Sequence, residues 1–238
     1  MRTEAGRGGY WHILVLIAAV LGAGLIPISI HVKPAAAATL RPGFQDELVG
    51  AFSNPMSLAA MPDGRMLVAT KPGAVRVYKN GQFLQTPALS LSGKMCTSKE
   101  RGLNSVAVDP DFGTAGNNYI YVYYTYKKYD VCPSEDPSNP KNPVNRVSRF
   151  VMSGDTIDAS TEKVLIDNMP SPDGGHNAGD LKFGKDKYLY VTVGDGLCDY
   201  AGDSGCAGQN DAARDGNVLL GKILRITRDG AIPPDNPF

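Results

Sequence analysis

Three stretches that repeat one order of short strand, tight turn and β-branched or aromatic strand predict an all-β chain built as four-stranded blades of a β-propeller. Two further observations agree. A third strand and a turn signal follow each pair, and no segment after residue 40 spaces its apolar residues at the helical period. The 238 residues also include 27 Gly and 17 Pro, a content that suits many short strands joined by tight turns.

In chain order, the first element stands outside the fold. Arg2 and Arg7 precede an apolar run from Ile13 to Ile30, and Ala35 to Ala38 lead into Thr39. A positive flank, an apolar centre and a small-residue exit are the parts of a secretory signal, with cleavage after Ala37 or Ala38. The run is also long enough for an uncleaved membrane anchor, although Pro27 interrupts it. No Arg–Arg pair marks a twin-arginine signal, and no Cys near the exit marks a lipoprotein. The expected organisation is a signal peptide or membrane anchor over 1–38 and a propeller portion over 39–238. The expected location is secreted, periplasmic or at the cell surface.

The first blade starts with Ser57–Ala60, turns at Pro62-Asp63-Gly64, and continues with Met66–Thr70. The second pairs Ser105–Asp109 with Tyr119–Tyr126, and the third pairs Asp180–Gly184 with Tyr188–Val193 across Lys185 to Lys187. Third strands follow at Ala74–Tyr78, Arg146–Met152 and Lys222–Thr227, ending at Asn80-Gly81, Ser153-Gly154-Asp155 and Asp229-Gly230. Fourth apolar pieces come around Phe83–Leu91 and Lys163–Ile166. Units recurring at roughly 50–75 residues read as propeller blades rather than as the hairpins of a β-sandwich, because strand order and turn chemistry repeat together. Three blades fall short of the roughly four that close a ring. The chain stops at Pro233-Pro234-Asp235-Asn236-Pro237-Phe238, where a new element should begin, so the expectation is a piece of a larger protein.

Composition removes one class of partner. With 24 basic and 24 acidic residues the formal charge is zero, which leaves no electrostatic footprint for nucleic acid. The four cysteines, Cys96, Cys132, Cys198 and Cys206, all follow the leader. An even number in an exported chain favours disulfides, with three connectivities open, and no C-x-x-C spacing suggests zinc.

The third blade carries the chemistry. Outside the leader, which holds His12 and His31, the only histidine is His176, in Gly174-Gly175-His176-Asn177-Ala178-Gly179-Asp180. Its glycines allow the backbone to approach a ligand closely. The second strand of the hairpin ends at Val193-Gly194-Asp195-Gly196. A turn around Lys185 to Lys187 pairs residues whose numbers sum to about 372, which puts Asp195 opposite Asn177 and one residue from His176. An Asp–His pair of this kind fixes the imidazole tautomer and suits a general base that removes a hydroxyl proton. A surface His beside an ordinary Asp-Gly turn is the other reading of the same spacing. The hairpins also bring Cys96 and Cys132 to one end of the second blade and keep Cys198 and Cys206 within one loop, so the expected pairs are Cys96–Cys132 and Cys198–Cys206.

These residues carry a family resemblance. Glu100-Arg101-Gly102-Leu103 leading to Val108-Asp109-Pro110-Asp111-Phe112 resembles a signature of the soluble glucose/sorbosone dehydrogenases, aldose sugar dehydrogenases that use pyrroloquinoline quinone. Gly175–Gly179 with Tyr188–Gly196, and Leu220–Ile226 with Asp229–Pro237, are similar to it in the same order, so the likeness covers residues 50–238. The resemblance implies a six-bladed propeller with the quinone at its central mouth. It implies that His176 is the catalytic base for the anomeric hydroxyl, whose hydride passes to the quinone, and that Asp195 orients it. It also implies a substrate-side polar residue at Glu100 and a cofactor contact at Gln209 and Asn210. Calcium ligands and the arginines that contact the quinone belong to later blades of the family. Where the family usually has Gly and Arg, this chain has Ala178 and Asp180, and Leu103-Asn104-Ser105 replaces Leu-Leu-Gly.

The expected function is therefore oxidation of an aldose at its anomeric hydroxyl, with a sugar as the small-molecule partner and an unspecified electron acceptor. Two other classes compete. One is a non-catalytic secreted propeller that binds protein or glycan. The other is a lactonase-type hydrolase, which needs a metal ringed by carboxylates. Asp195, Asp199, Asp203, Asp211 and Asp215 make the loop after the second strand acidic, yet no Glu stands at the twelfth position of an EF-hand loop. That loop is expected to be solvated and held by a disulfide, with no metal of its own.

Overall fold

The structure is a computed structural model that describes residues 40–114, 116–133, 136, 138–197 and 212–237. It divides into a unit of residues 1–47 and a unit of residues 48–238. In the first unit, the described residues contain a turn in which Phe44 N donates to Arg41 O.

The second unit consists of three antiparallel sheets, the blades of a propeller. Blade 1 contains β1 (Pro55–Ala60), β2 (Met66–Thr70), β3 (Ala74–Lys79), β4 (Gln82–Phe83) and β5 (Leu89–Ser90). Blade 2 contains β6 (Leu103–Val108), β7 (Tyr119–Tyr126), β8 (Val144–Ser153) and β9 (Thr156–Pro170). Blade 3 contains β10 (Ala178–Phe183), β11 (Leu189–Val193) and β12 (Lys222–Ile226). The first strands of the blades, β1, β6 and β10, lie side by side. They line a cleft of ≈ 750 Å³ whose walls include Ser57, Leu58, Asn104, Ala178 and Asp180.

Strand β7 shows why the blades stack. Side chains alternate across a strand, and a strand covered on both faces needs no polar alternation. Ile120, Val122 and Tyr124 enter the core shared with blade 1, while Tyr121 and Tyr123 enter the core shared with blade 3. The run Tyr-Ile-Tyr-Val-Tyr-Tyr-Thr-Tyr is thus apolar or aromatic on both sides because both sides are buried.

The outer strands differ from their sequence expectation. The outer edge of blade 1 is two short pieces, β4 and β5, which pair with opposite ends of β3. A single 3-10 turn at Ser92–Lys94 follows them. In blade 2, β9 runs over 15 residues, far beyond Lys163–Ile166, because irregularities in its pairing with β8 absorb the polar stretch before Lys163. Among the described residues blade 3 has three strands. Cys96 and Cys132 form a disulfide beside blade 2. Cys198 and Cys206 lie outside the described residues.

Candidate functional site

The residues that carry the candidate chemistry sit in the loop that enters β10. The β10–β11 pairing begins in the expected register, with Phe183 opposite Leu189 and Leu181 opposite Val191. An irregularity between Ala178 and Leu181 then shifts it by one, so that Ala178 faces Val193. Counting on from there brings Asp195 opposite His176 itself, a one-residue correction to the expected partner, Asn177. Gly194 N donates to Asn177 O at 3.3 Å and Gly196 N to His176 O at 3.2 Å, which ties the two ends together. A Cβ at Gly194 would lie 1.8 Å from His176 O, so only glycine permits this approach.

The imidazole and the carboxylate meet. His176 Nδ1 lies 2.8 Å from Asp195 Oδ1, and Leu197 N donates to the same oxygen at 3.0 Å. An ionised carboxylate only accepts, so Nδ1 is the donor and Nε2 is left with a free lone pair. The His176 side chain is 49% exposed and that of Asp195 26%, which leaves the ring open to a ligand while its orienting carboxylate is partly covered. This arrangement can accept a proton at Nε2 and keep the resulting imidazolium in place.

The loop is fixed from below by a buried polar network. Asn177 is 1% exposed; its Oδ1 accepts from Asn145 Nδ2 at 2.8 Å and Ser171 Oγ at 2.7 Å, and its Nδ2 donates to Gly174 O at 2.8 Å. Thr125 Oγ1 in turn donates to Asn145 Oδ1, and Tyr123 OH donates to Asn177 O. Burial pushes the Tyr123 phenol above its usual range, so it remains a donor. Arg101, fully buried, donates to Ser171 Oγ, to the carbonyls of Ser171 and Pro172, and to Ser98 Oγ. None of Asn145, Tyr123 and Arg101 is visible as a site residue in the sequence, because their partners in the loop lie 32 to 71 residues away.

Glu100 reaches the same loop. Its main-chain N donates to Gly174 O at 3.0 Å, and its Oε2 accepts from Asn177 N at 3.2 Å. Nearby, Lys99 Nζ is bonded to Asp173. Gln209 and Asn210 lie outside the described residues, as do Asp199, Asp203 and Asp211 of the acidic loop. Asp215 is described, and its Oδ1 accepts from Asn217 N at 2.8 Å in its own turn. No cluster of three or more His, Cys, Asp or Glu able to hold a metal occurs among the described residues.

Comparison with known proteins decides the family. A model of the glucose/sorbosone dehydrogenase family matches residues 52–238. The chain belongs to that family. The aldose sugar dehydrogenase YliI of Escherichia coli is 28% identical over 196 residues, covering 82% of this chain and 45% of the relative. Quinoprotein glucose dehydrogenase B of Acinetobacter calcoaceticus is 32% identical over 157 residues, covering 58% and 29%. The PQQ-bound aldose sugar dehydrogenase of Streptomyces coelicolor superposes with a TM-score of 0.58 at 28% identity, over 79% of this chain and 48% of that one. The chain therefore spans less than half the length of these relatives. In this member of the family the histidine of the histidine–aspartate pair lies two residues before Ala178, which lines the cleft between the first strands. The quinone of the family is a tricarboxylate and needs cations. Around His176 the described side chains are chiefly anionic (Glu100, Asp173, Asp195), Lys99 is engaged by Asp173, and Arg101 is buried beneath the loop. These described residues do not by themselves fit the quinone's carboxylates.

Proposed function

We propose that the protein containing this chain oxidises an aldose sugar at its anomeric hydroxyl, with His176 as the general base and Asp195 as the residue that orients it. The observation that carries this reading is the 2.8 Å contact between His176 Nδ1 and Asp195 Oδ1, which leaves Nε2 as the free acceptor. When bound, the family's quinone would supply the hydride acceptor. This chain's part is to take the hydroxyl proton at Nε2 and to hold the charged ring against Asp195. Glu100, anchored to Asn177 N beside the base, is the substrate-side acceptor in this reading. Calcium and the quinone's cationic partners would come from other blades, and Gln209 and Asn210 would add cofactor contacts.

The organisation we propose is a leader over 1–38, as a signal peptide or anchor, followed by the propeller over 39–238, in a protein exported to the periplasm, the cell surface or the medium. No helix among the described residues is long and apolar enough to cross a membrane. The deciding experiment reconstitutes the complete protein with pyrroloquinoline quinone and calcium and assays aldoses with an artificial electron acceptor. His176→Gln should lower turnover on the order of 10²- to 10⁴-fold while the thermal midpoint stays put. Turnover near that of the parent would remove His176 as the base. A folded, reconstituted protein with no aldose turnover would favour a binding module instead.

A further inference from the structure

The loop that presents His176 passes through two left-handed residues other than glycine. His176 and Ala178 both have φ of 49°, and Gly179 follows at 107°. Each such conformation costs an L-residue about 1–2 kcal/mol, so the loop persists only if its surroundings hold it there. The hairpin holds the first carbonyls, through Gly196 N to His176 O and Gly194 N to Asn177 O. The carbonyl of Ala178 is reached from another blade. Asn104 Nδ2, on β6, donates to it at 2.8 Å.

Asn104 makes that bond at the expense of its own oxygen. The residue is 9% exposed, and its Oδ1 is buried without a hydrogen-bond partner among the described residues. A buried amide oxygen left unsatisfied costs about 1–3 kcal/mol. Turning the amide over would not relieve this, because Oδ1 would then face the Ala178 oxygen and the buried NH₂ would lose its acceptor. Asn104 stands in the wall of the cleft between the first strands, where an apolar side chain would leave no buried amide oxygen unpaired. What Asn104 supplies to the loop is a donor to the strained peptide two residues from the imidazole.

We propose that Asn104 is a positioning residue for His176, its amide holding the left-handed turn that sets the ring against Asp195. The proposal rests on His176 being the base, but its test needs neither sugar nor quinone. Ring-nitrogen NMR on the full chain, with the His176 signals assigned by their loss in His176→Gln, should show one Nδ1–H tautomer at a pH where the ring is neutral. Asn104→Leu should at least halve the population of that tautomer, and adding Ala178→Gly, which removes the left-handed strain, should recover it. Should Asn104→Leu fail to fold, Asn104→Asp, of the same shape but without the amide donor, replaces it with the same expectations. Ring-nitrogen shifts unchanged from those of the parent would overturn the proposal. So would a tautomer lost with Asn104 and not recovered by Ala178→Gly. Full turnover by His176→Gln would remove the base and leave the positioning result standing.

Discussion

Ala178 has a φ of 49°, a region that glycine enters freely and alanine does not. Relief of this strain should outweigh the extra freedom that glycine gives the unfolded chain. Ala178→Gly is thus expected to raise stability by up to about 1 kcal/mol, read as a higher urea midpoint at unchanged slope. The next glycine allows no such exchange, since a Cβ at Gly179 would lie 2.4 Å from the Tyr123 ring. Four residues on the first strands of blades 2 and 3 also touch in pairs. Asn104 donates to Ala178 O, and Ser105 Oγ donates to Asp180 Oδ1 at 3.2 Å. His176 and Asp195 were legible in the sequence because both belong to one hairpin, where counting from the turn brings them together. Asn104 and Asn145 were not, because their contacts with the loop join residues 74 and 32 positions apart. No local count can show such a contact. The one-residue error in the register of Asp195 came from an irregularity between Ala178 and Leu181, whose mark in the sequence is the single glycine Gly179.

At the scale of the strand, blade 2 carries a half-buried carboxylate on its outer edge. Glu162 of β9 accepts from Tyr124 OH at 2.5 Å and Ser148 Oγ at 2.9 Å and pairs with Lys94 Nζ at 3.1 Å. Burial pushes its pKa up, but the two hydroxyls and the ammonium outweigh that and hold it below its ordinary 4.5. A carboxyl lowered on folding contributes stability that is fully present above its unfolded value and is lost as pH falls through the folded one. Thermal midpoints measured from pH 7 down to below pH 4 should therefore fall less steeply for Glu162→Gln than for the parent, from a lower starting value. The inner and middle strands were legible from alternation and turn residues. The edge strands were less so: β9 has a polar first half and is held by pairing with β8 instead of by an apolar face. The broken edge of blade 1 escaped for a related reason, since two-residue strands carry no period.

At the scale of the molecule, the blades are joined by polar clasps as well as by shared cores. The Val108–Phe112 motif, readable in the sequence only as a signature, proves to be one of them. Asp109 is buried and accepts from Tyr121 OH at 3.1 Å, while Asp111 binds Lys187 Nζ at 2.7 Å and Arg228 Nη2 at 2.8 Å, both from blade 3. A covalent tie acts within blade 2, where the Cys96–Cys132 disulfide closes a loop with a sequence separation of 36. On the chain-entropy model such a loop is worth about 4 kcal/mol. The double variant Cys96→Ser/Cys132→Ser should show a loss of that order in denaturant unfolding, while a loss under about 1 kcal/mol would mean that the loop is ordered without its crosslink. The buried amide network beneath His176 has a wider consequence. The histidine belongs to the third blade by chain, yet the groups that seat it (Asn104, Asn145, Tyr123, Arg101) belong to the second or to the segment leading into it. Neither blade alone holds the imidazole in place. Any opening of the seam between them would remove the bonds that seat the His176 loop while each sheet kept its strands, so on the proposed reading the shaping of the proton acceptor and the closure of that seam are one event in the life of the chain.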